Sequence, residues 1–249
     1  MRVKQRVELT KAGRLYSEQV RESLQKIERD TLSLAAHGTG ENSLELAVMP
    51  TFAQEWLIPR LPSFYEQNPG MSINMGVRTN PFSFEDEHFE VAIHHGKPVW
   101  PRATSDLLFG EAMVVIARKD LVDECIKAPL DVLKFPLLYC TTRPESWPQW
   151  FEAAGMPDGM GSTRTVGFEL HSMVVKAAES GLGIALVPEF FVSKSAWASG
   201  LVRVHPMTIT AMHSYYLVYP NNMRHSAPLE AFRSWIMAQA KEFWRPDLR

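Results

Sequence analysis

Thr51, Phe52 and Ala53 follow a proline at the point where a strand-like run gives way to a helical one. The N–H groups of a first helical turn have no partner inside the helix, so they favour a carboxylate or a phosphate. Thr51 would add its hydroxyl to the backbone N–H groups of Phe52 and Ala53, although a threonine there also serves as a plain N-cap. Arg78-Thr79-Asn80 close the next strand-like run and either flank the same anion or form a solvated loop. Phe168-Glu169 and His171-Ser172 repeat the strand-to-helix arrangement further along, adding an imidazole and a second hydroxyl. Trp100 stands in a Pro-rich loop, where it borders a pocket or is exposed.

His94 and His95 raise the question of a metal. Neighbours on a strand point to opposite faces, so the two cannot readily share one ion. No Cys, His or Asp partner has a metal-ligand spacing, and no metal is expected. Both stay candidates for a ligand site, one facing it and the other facing outward. Nucleophilic catalysis at His171-Ser172 lacks a G-x-S-x-G turn and an acid partner. No Walker A loop and no G-x-G-x-x-G after a strand is present, so no cofactor and no enzymatic activity are expected. Glu85-Asp86-Glu87 reads as a solvated loop. Trp147 and Trp150, three apart on one helical face, belong to a core.

These candidates need a scaffold, and the hydrophobic pattern supplies one. Strands are predicted at 43–49, 72–77, 90–94, 112–117, 135–139, 163–168, 183–187 and 212–219. Helices are predicted from Pro50 to about Gln67, at 147–154 and 169–180, and as a closing segment at 228–244. Strands alternating with helices argue for an α/β protein with mostly parallel sheets. The order suggests two lobes: 43–119 with 214–249, and 120–213 between them. Crossings near Arg118–Lys119 and Ala211–Ser214 would hinge a cleft, and open α/β sheets bind ligands beyond the carboxyl ends of their strands.

Residues 1–37 are of another kind. Between Met1 and Arg14 stand five basic side chains against one acidic, although the whole chain of 249 residues has a formal net charge of -2. Arg2, Lys4 and Arg6 could touch a nucleic-acid backbone, a contact that positions without specifying sequence. Thr10 is placed to cap a helix running over 11–37, roughly 40 Å long at 1.5 Å per residue. Its apolar positions Tyr16, Val20, Leu24, Ile27 and Leu34 trace a narrow seam that a second helix should cover. Gly38-Thr39-Gly40 separates this helix from the rest. With 2 cysteines a disulfide framework is not indicated, which suits a reducing compartment. No apolar run nears the roughly 18 residues needed to span a bilayer. No membrane contact and a cytoplasmic location are expected.

Together these pieces resemble the LysR-type transcriptional regulators across essentially the whole chain. The resemblance rests on Arg2…Val7-Glu8-Leu9-Thr10-Lys11-Ala12-Gly13, on Leu46–Phe52 with Trp56-Leu57-Ile58-Pro59-Arg60-Leu61, on Glu90–Gly96, and on Ala177–Pro188. Trp147…Trp150-Phe151…Ala154-Gly155 further resembles the subgroup of glycine-cleavage and β-lactamase activators. The resemblance implies a two-lobed, periplasmic-binding-protein-like (type 2) effector domain behind a dimerising linker helix. It implies a small, anionic metabolite in the cleft, a homodimer through the linker helix and a tetramer. Residues 1–10 then correspond to the end of a DNA-binding wing. DNA would be read only through a helix-turn-helix that lies upstream in the family and is lacking here. The alternative is a solute-binding protein of a transport system, which shares the two-lobed fold.

Overall fold

The computed structural model describes residues 9–14, 16, 17, 19–21, 24, 27, 31, 42–122, 126, 128–161, 163–223 and 226–244. Arg2, Lys4 and Arg6 lie outside the described residues. The chain divides into two units, Met1–Glu41 and Asn42–Arg249. In the first, the described residues from Lys11 to Thr31 are helical. Thr10 Oγ1 accepts the Gly13 N–H at 3.1 Å, satisfying a donor the first turn leaves open. Tyr16, Leu24 and Ile27 of the apolar seam are exposed.

In the second unit, β1 (Ser43–Val48) leads into a helical run: α1 (Pro50–Phe52), a π-turn, a 3-10 turn and α2 (Leu61–Gln67). The run cannot be one regular helix, because Pro59 and Pro62 have no N–H to give to the preceding turn. The ladder is interrupted just there, at Ala53–Leu57 and Ile58–Arg60. Next come β2 (Ser72–Val77), β3 (Val91–Gly96), β4 (Ala103–Phe109), β5 (Ala112–Arg118) and β6 (Leu137–Cys140). They are followed by α3 (Ser146–Ala153), β7 (Thr165–Phe168), α4 (His171–Glu179), β8 (Ile184–Pro188) and α5 (Lys194–Ala198). The last elements are β9 (Leu201–Arg203), β10 (Ile209–Thr210), β11 (Ser214–Pro220) and α6 (Ala227–Phe243).

These strands make two sheets. The first has the order β2-β1-β3-β11-β4, and the second β10-β5-β8-β6-β7 with β9 on β5. Both are mixed rather than mostly parallel. β1, β2 and β3 are mutually parallel, while β11 runs antiparallel to both of its neighbours, β3 and β4. β6 is parallel to β7 and β8, and β5 is antiparallel to its neighbours. The two antiparallel insertions carry the chain from one sheet to the other.

The first crossing differs from the sequence expectation. β5 pairs with β8, β9 and β10, so 112–118 belongs to the second sheet, and the chain passes over at Gly110-Glu111 rather than at Arg118–Lys119. An apolar run such as Ala-Met-Val-Val-Ile-Ala states that a strand is covered on both sides but not which sheet holds it. Met113 and Val115 face one core, with Trp147, Trp150 and Phe151 of α3. Val114 and Ile116 face another, with Val174 and Ala178 of α4. In the first sheet Leu44, Leu46 and Leu217 pack against Phe52, Trp56, Phe64 and Phe232. Its far face carries a smaller aromatic cluster around Phe89 and Trp100.

Candidate functional site

The parallel strands β1, β3, β6 and β7 end near one another, where the two sheets meet. Such carboxyl ends are where open α/β sheets place ligands. Thr51 just beyond β1, His95 at the end of β3, Arg143 just beyond β6 and His171 at the start of α4 line a common cavity of about 70 Å³. That is small beside the roughly 300 Å³ at which ligand pockets begin. The lobes stand nearly closed, and Thr51 Oγ1 accepts the Ser172 N–H across the gap at 3.2 Å. α4 has no side-chain cap from its own N-cap residue, Leu170. Thr51, on the other lobe, takes that office. Having accepted one hydrogen bond, its hydroxyl still has a proton to donate.

Below the cavity lies a charged cluster joining the lobes. Glu111 stands on the crossing between β4 and β5 and is wholly buried. Its carboxylate accepts from an Arg143 guanidinium N–H and, at 2.7 Å, from the Tyr215 hydroxyl. Arg143 also donates to that hydroxyl at 2.8 Å. Arg143 comes from the second lobe and Tyr215 from β11 of the first, so three residues tie both sheets to the crossing. Burial alone would raise the Glu111 carboxyl, but Arg143 first, then His95 and Tyr215, hold it below the usual carboxylate range. Burial would lower Arg143, and Glu111 and Tyr215 raise it above the ordinary guanidinium value. Both therefore stay charged.

Two imidazoles face this cluster. His95 Nε2 pairs with Glu111 Oε1 at 3.2 Å. Burial lowers its pKa, with Arg143 adding to the effect and Glu111 opposing it. His171 is lowered well below 6.5, by burial first and then by Arg143. The cavity thus offers neutral imidazoles, a guanidinium already balanced by one carboxylate, and the hydroxyls of Thr51, Thr79 and Thr142.

The structure brings Thr51, Phe52, Thr79, His95, Glu169 and His171 around the cavity. Ser172 contributes its backbone N–H. Phe52 is also a core ring, stacked on Phe109 at 5.9 Å, and Ala53 is buried in that core away from the cavity. Other residues are elsewhere. Arg78 turns to Glu87 at 2.7 Å and lies over the Phe89 ring, because a carboxylate and an aromatic face stand within reach on its own side. His94 packs on Trp100 at 5.2 Å on the outer side of the first sheet, as strand alternation requires of His95's neighbour. Burial first, then His95 and His213, lower its pKa to about 4. Trp100 belongs to that outer cluster and not to the cavity. Asn80 is exposed and Phe168 packs against the α4 core; neither lines the cavity.

Glu111, Arg143, Tyr215, Cys140 and Thr142 escaped sequence reasoning. Glu111 had a legible signal, being a single carboxylate inside the otherwise apolar stretch from Leu107 to Ala117. Arg143 and Tyr215 had none, because their value comes from meeting across 72 residues of sequence. Among the described residues no cluster of His, Cys, Asp or Glu could hold a metal ion. No described helix is long and apolar enough to cross a membrane.

Two mixed sheets hinged by two crossings over a polar cleft define a two-lobed, periplasmic-binding-protein-like effector domain. A family model described as the LysR substrate binding domain matches residues 37–241, and the chain belongs to that family. It is 26% identical over 235 residues to the HTH-type transcriptional regulator PerR of Escherichia coli, covering 93% of this chain and 77% of that protein. It is 26% identical over 234 residues to the glycine cleavage system transcriptional activator of Escherichia coli, covering 93% of this chain and 76% of that one. Among solved structures, the effector domain of the transcriptional regulator AmpR of Pseudomonas aeruginosa superposes with a TM-score of 0.75 at 26% identity. That match covers 84% of this chain and all of the other. The chain therefore carries the effector-binding region of a LysR-type transcriptional regulator.

Proposed function

We propose that the effector is a small carboxylate bound between the lobes. It is held by the Thr51 hydroxyl, the first N–H groups of α4 and an imidazole of His95 or His171. The observation that supports this reading most is the start of α4, whose Ser172 N–H is held by Thr51 of the other lobe beside a cavity that His95 and His171 also line. The helix start of α4 favours negative charge, and an entering carboxylate would take the N–H that Thr51 now holds. The lobes would then settle at a different angle, to the extent that the ligand prefers that arrangement.

The test is a panel of two- to six-carbon mono- and dicarboxylates, with the matching amides, measured by calorimetry at low salt. At least one acid binds while its amide does not, and Thr51→Ala weakens that acid about tenfold with the fold unchanged. Amides that bind as well as acids, or an indifferent Thr51→Ala, would remove the carboxylate from this account.

The exposed seam of Tyr16, Leu24 and Ile27 supports pairing of the N-terminal helix with that of a second copy, and a tetramer through further contacts between effector domains. DNA-binding domains joined to such paired helices would feel the change in lobe angle. Leu24→Glu with Ile27→Glu should lower the sedimenting mass at micromolar protein. Unaltered mass would place the interface elsewhere.

A further inference from the structure

A cavity larger than the interlobe cleft lies elsewhere in the second unit. It is a groove of about 720 Å³ on the far face of the first sheet, walled by Phe82, Phe84, Phe89 and Trp100 and floored by Met223. It shares no residue with the cleft. Its volume lies within the range of about 300–1,000 Å³ typical of small-molecule sites.

We propose that this groove is a second ligand site, selective for a small apolar cation such as an aromatic or alkyl ammonium. Its charges point that way. Glu85, Glu90 and Arg102 line it, two carboxylates against one guanidinium. Arg102 is matched by Glu85 at 2.8 Å. Glu90 accepts the Glu45 N–H at 3.0 Å and has no cationic partner among the described residues. The groove is left with one negative charge beside a wall of aromatic rings, whose faces attract cations and repel anions.

The same wall already holds a cation. The Arg78 guanidinium lies 4.8 Å over the Phe89 ring and is backed by Glu87 at 2.7 Å. A ligand ammonium against these rings, backed by Glu90, would repeat that arrangement on the groove side. The rim is fixed in a costly conformation that suits a built site. Arg102 has a φ of 54°, in the left-handed region that non-glycine residues avoid. Its carbonyl accepts the Asn221 N–H at 3.2 Å, and its side chain pairs with Glu85.

The probe is benzyltrimethylammonium chloride, titrated calorimetrically into the full chain, with benzyl alcohol and benzoate as neutral and anionic controls. The expected result is one site per chain for the ammonium, at least tenfold tighter than for either control. Glu90→Gln should weaken it tenfold or more; glutamine still offers a carbonyl to the Glu45 N–H, so an unchanged thermal midpoint verifies the fold. Thr51→Ala, in the other cavity, should leave the ammonium affinity untouched. No binding at millimolar probe, equal binding of benzoate or benzyl alcohol, or an unaffected Glu90→Gln would each overturn the proposal.

Discussion

Glu111, Arg143 and Tyr215 show how much depends on single side chains at the crossing. A buried ion pair is a poor source of net stability, since desolvation offsets most of the attraction, but breaking one leaves a buried charge alone. Arg143→Met is therefore expected to cost about 3–5 kcal/mol, read from the urea midpoint. Replacing both members, Glu111→Leu with Arg143→Met, should cost less than Arg143→Met alone. A double variant as weak as the sum of its parts would mean that the cluster stabilises by other means. Sequence reasoning reached Thr51, His95 and His171 because each ends a strand or opens a helix, and local pattern marks such places. It missed Arg143 and Tyr215 because nothing local distinguishes an arginine after a strand or a tyrosine within one. It placed Arg78 and His94 at the site because adjacency in sequence conceals which face a side chain takes.

At the scale of elements, the strands with clear alternation or an apolar run were legible: β1, β2, β3, β5, β6, β7, β8 and β11. β4 was not, because Ala103-Thr104-Ser105-Asp106 is polar and follows a proline. β9 and β10, of 3 and 2 residues, are too short to display a period. Without β4 the antiparallel edge of the first sheet was invisible, and the crossing was assigned one strand too late. The β6–β8 pairing shows what local sequence does encode. A Cβ on Gly183 would stand 2.2 Å from the Pro136 carbonyl oxygen, which accepts the Ile184 N–H at 2.9 Å. Gly183→Ala should thus force these strands apart and cost about 3 kcal/mol, at the upper end of overpacking losses. A thermal midpoint within a degree of the parent would show that the strands yield freely.

At the scale of the molecule, two sheets meet at a cleft floored by a charged knot and bridged by the Thr51–Ser172 contact, with Phe190 and Phe191 after β8 packing into the core of the first sheet. A knot that is satisfied and buried can hold the hinge while the weaker contact at the mouth opens and closes. An anion entering between His95 and His171 would favour their protonated forms, raising pKa values that burial now depresses. The decisive measurement is the pH titration of the histidine side-chain NMR signals, with and without the tightest-binding carboxylate of the panel. The account predicts that the midpoints of His95 and His171 rise on binding, and that Thr51→Ala diminishes the change. Midpoints of His95 and His171 that ignore a saturating carboxylate would contradict an effector site between the lobes.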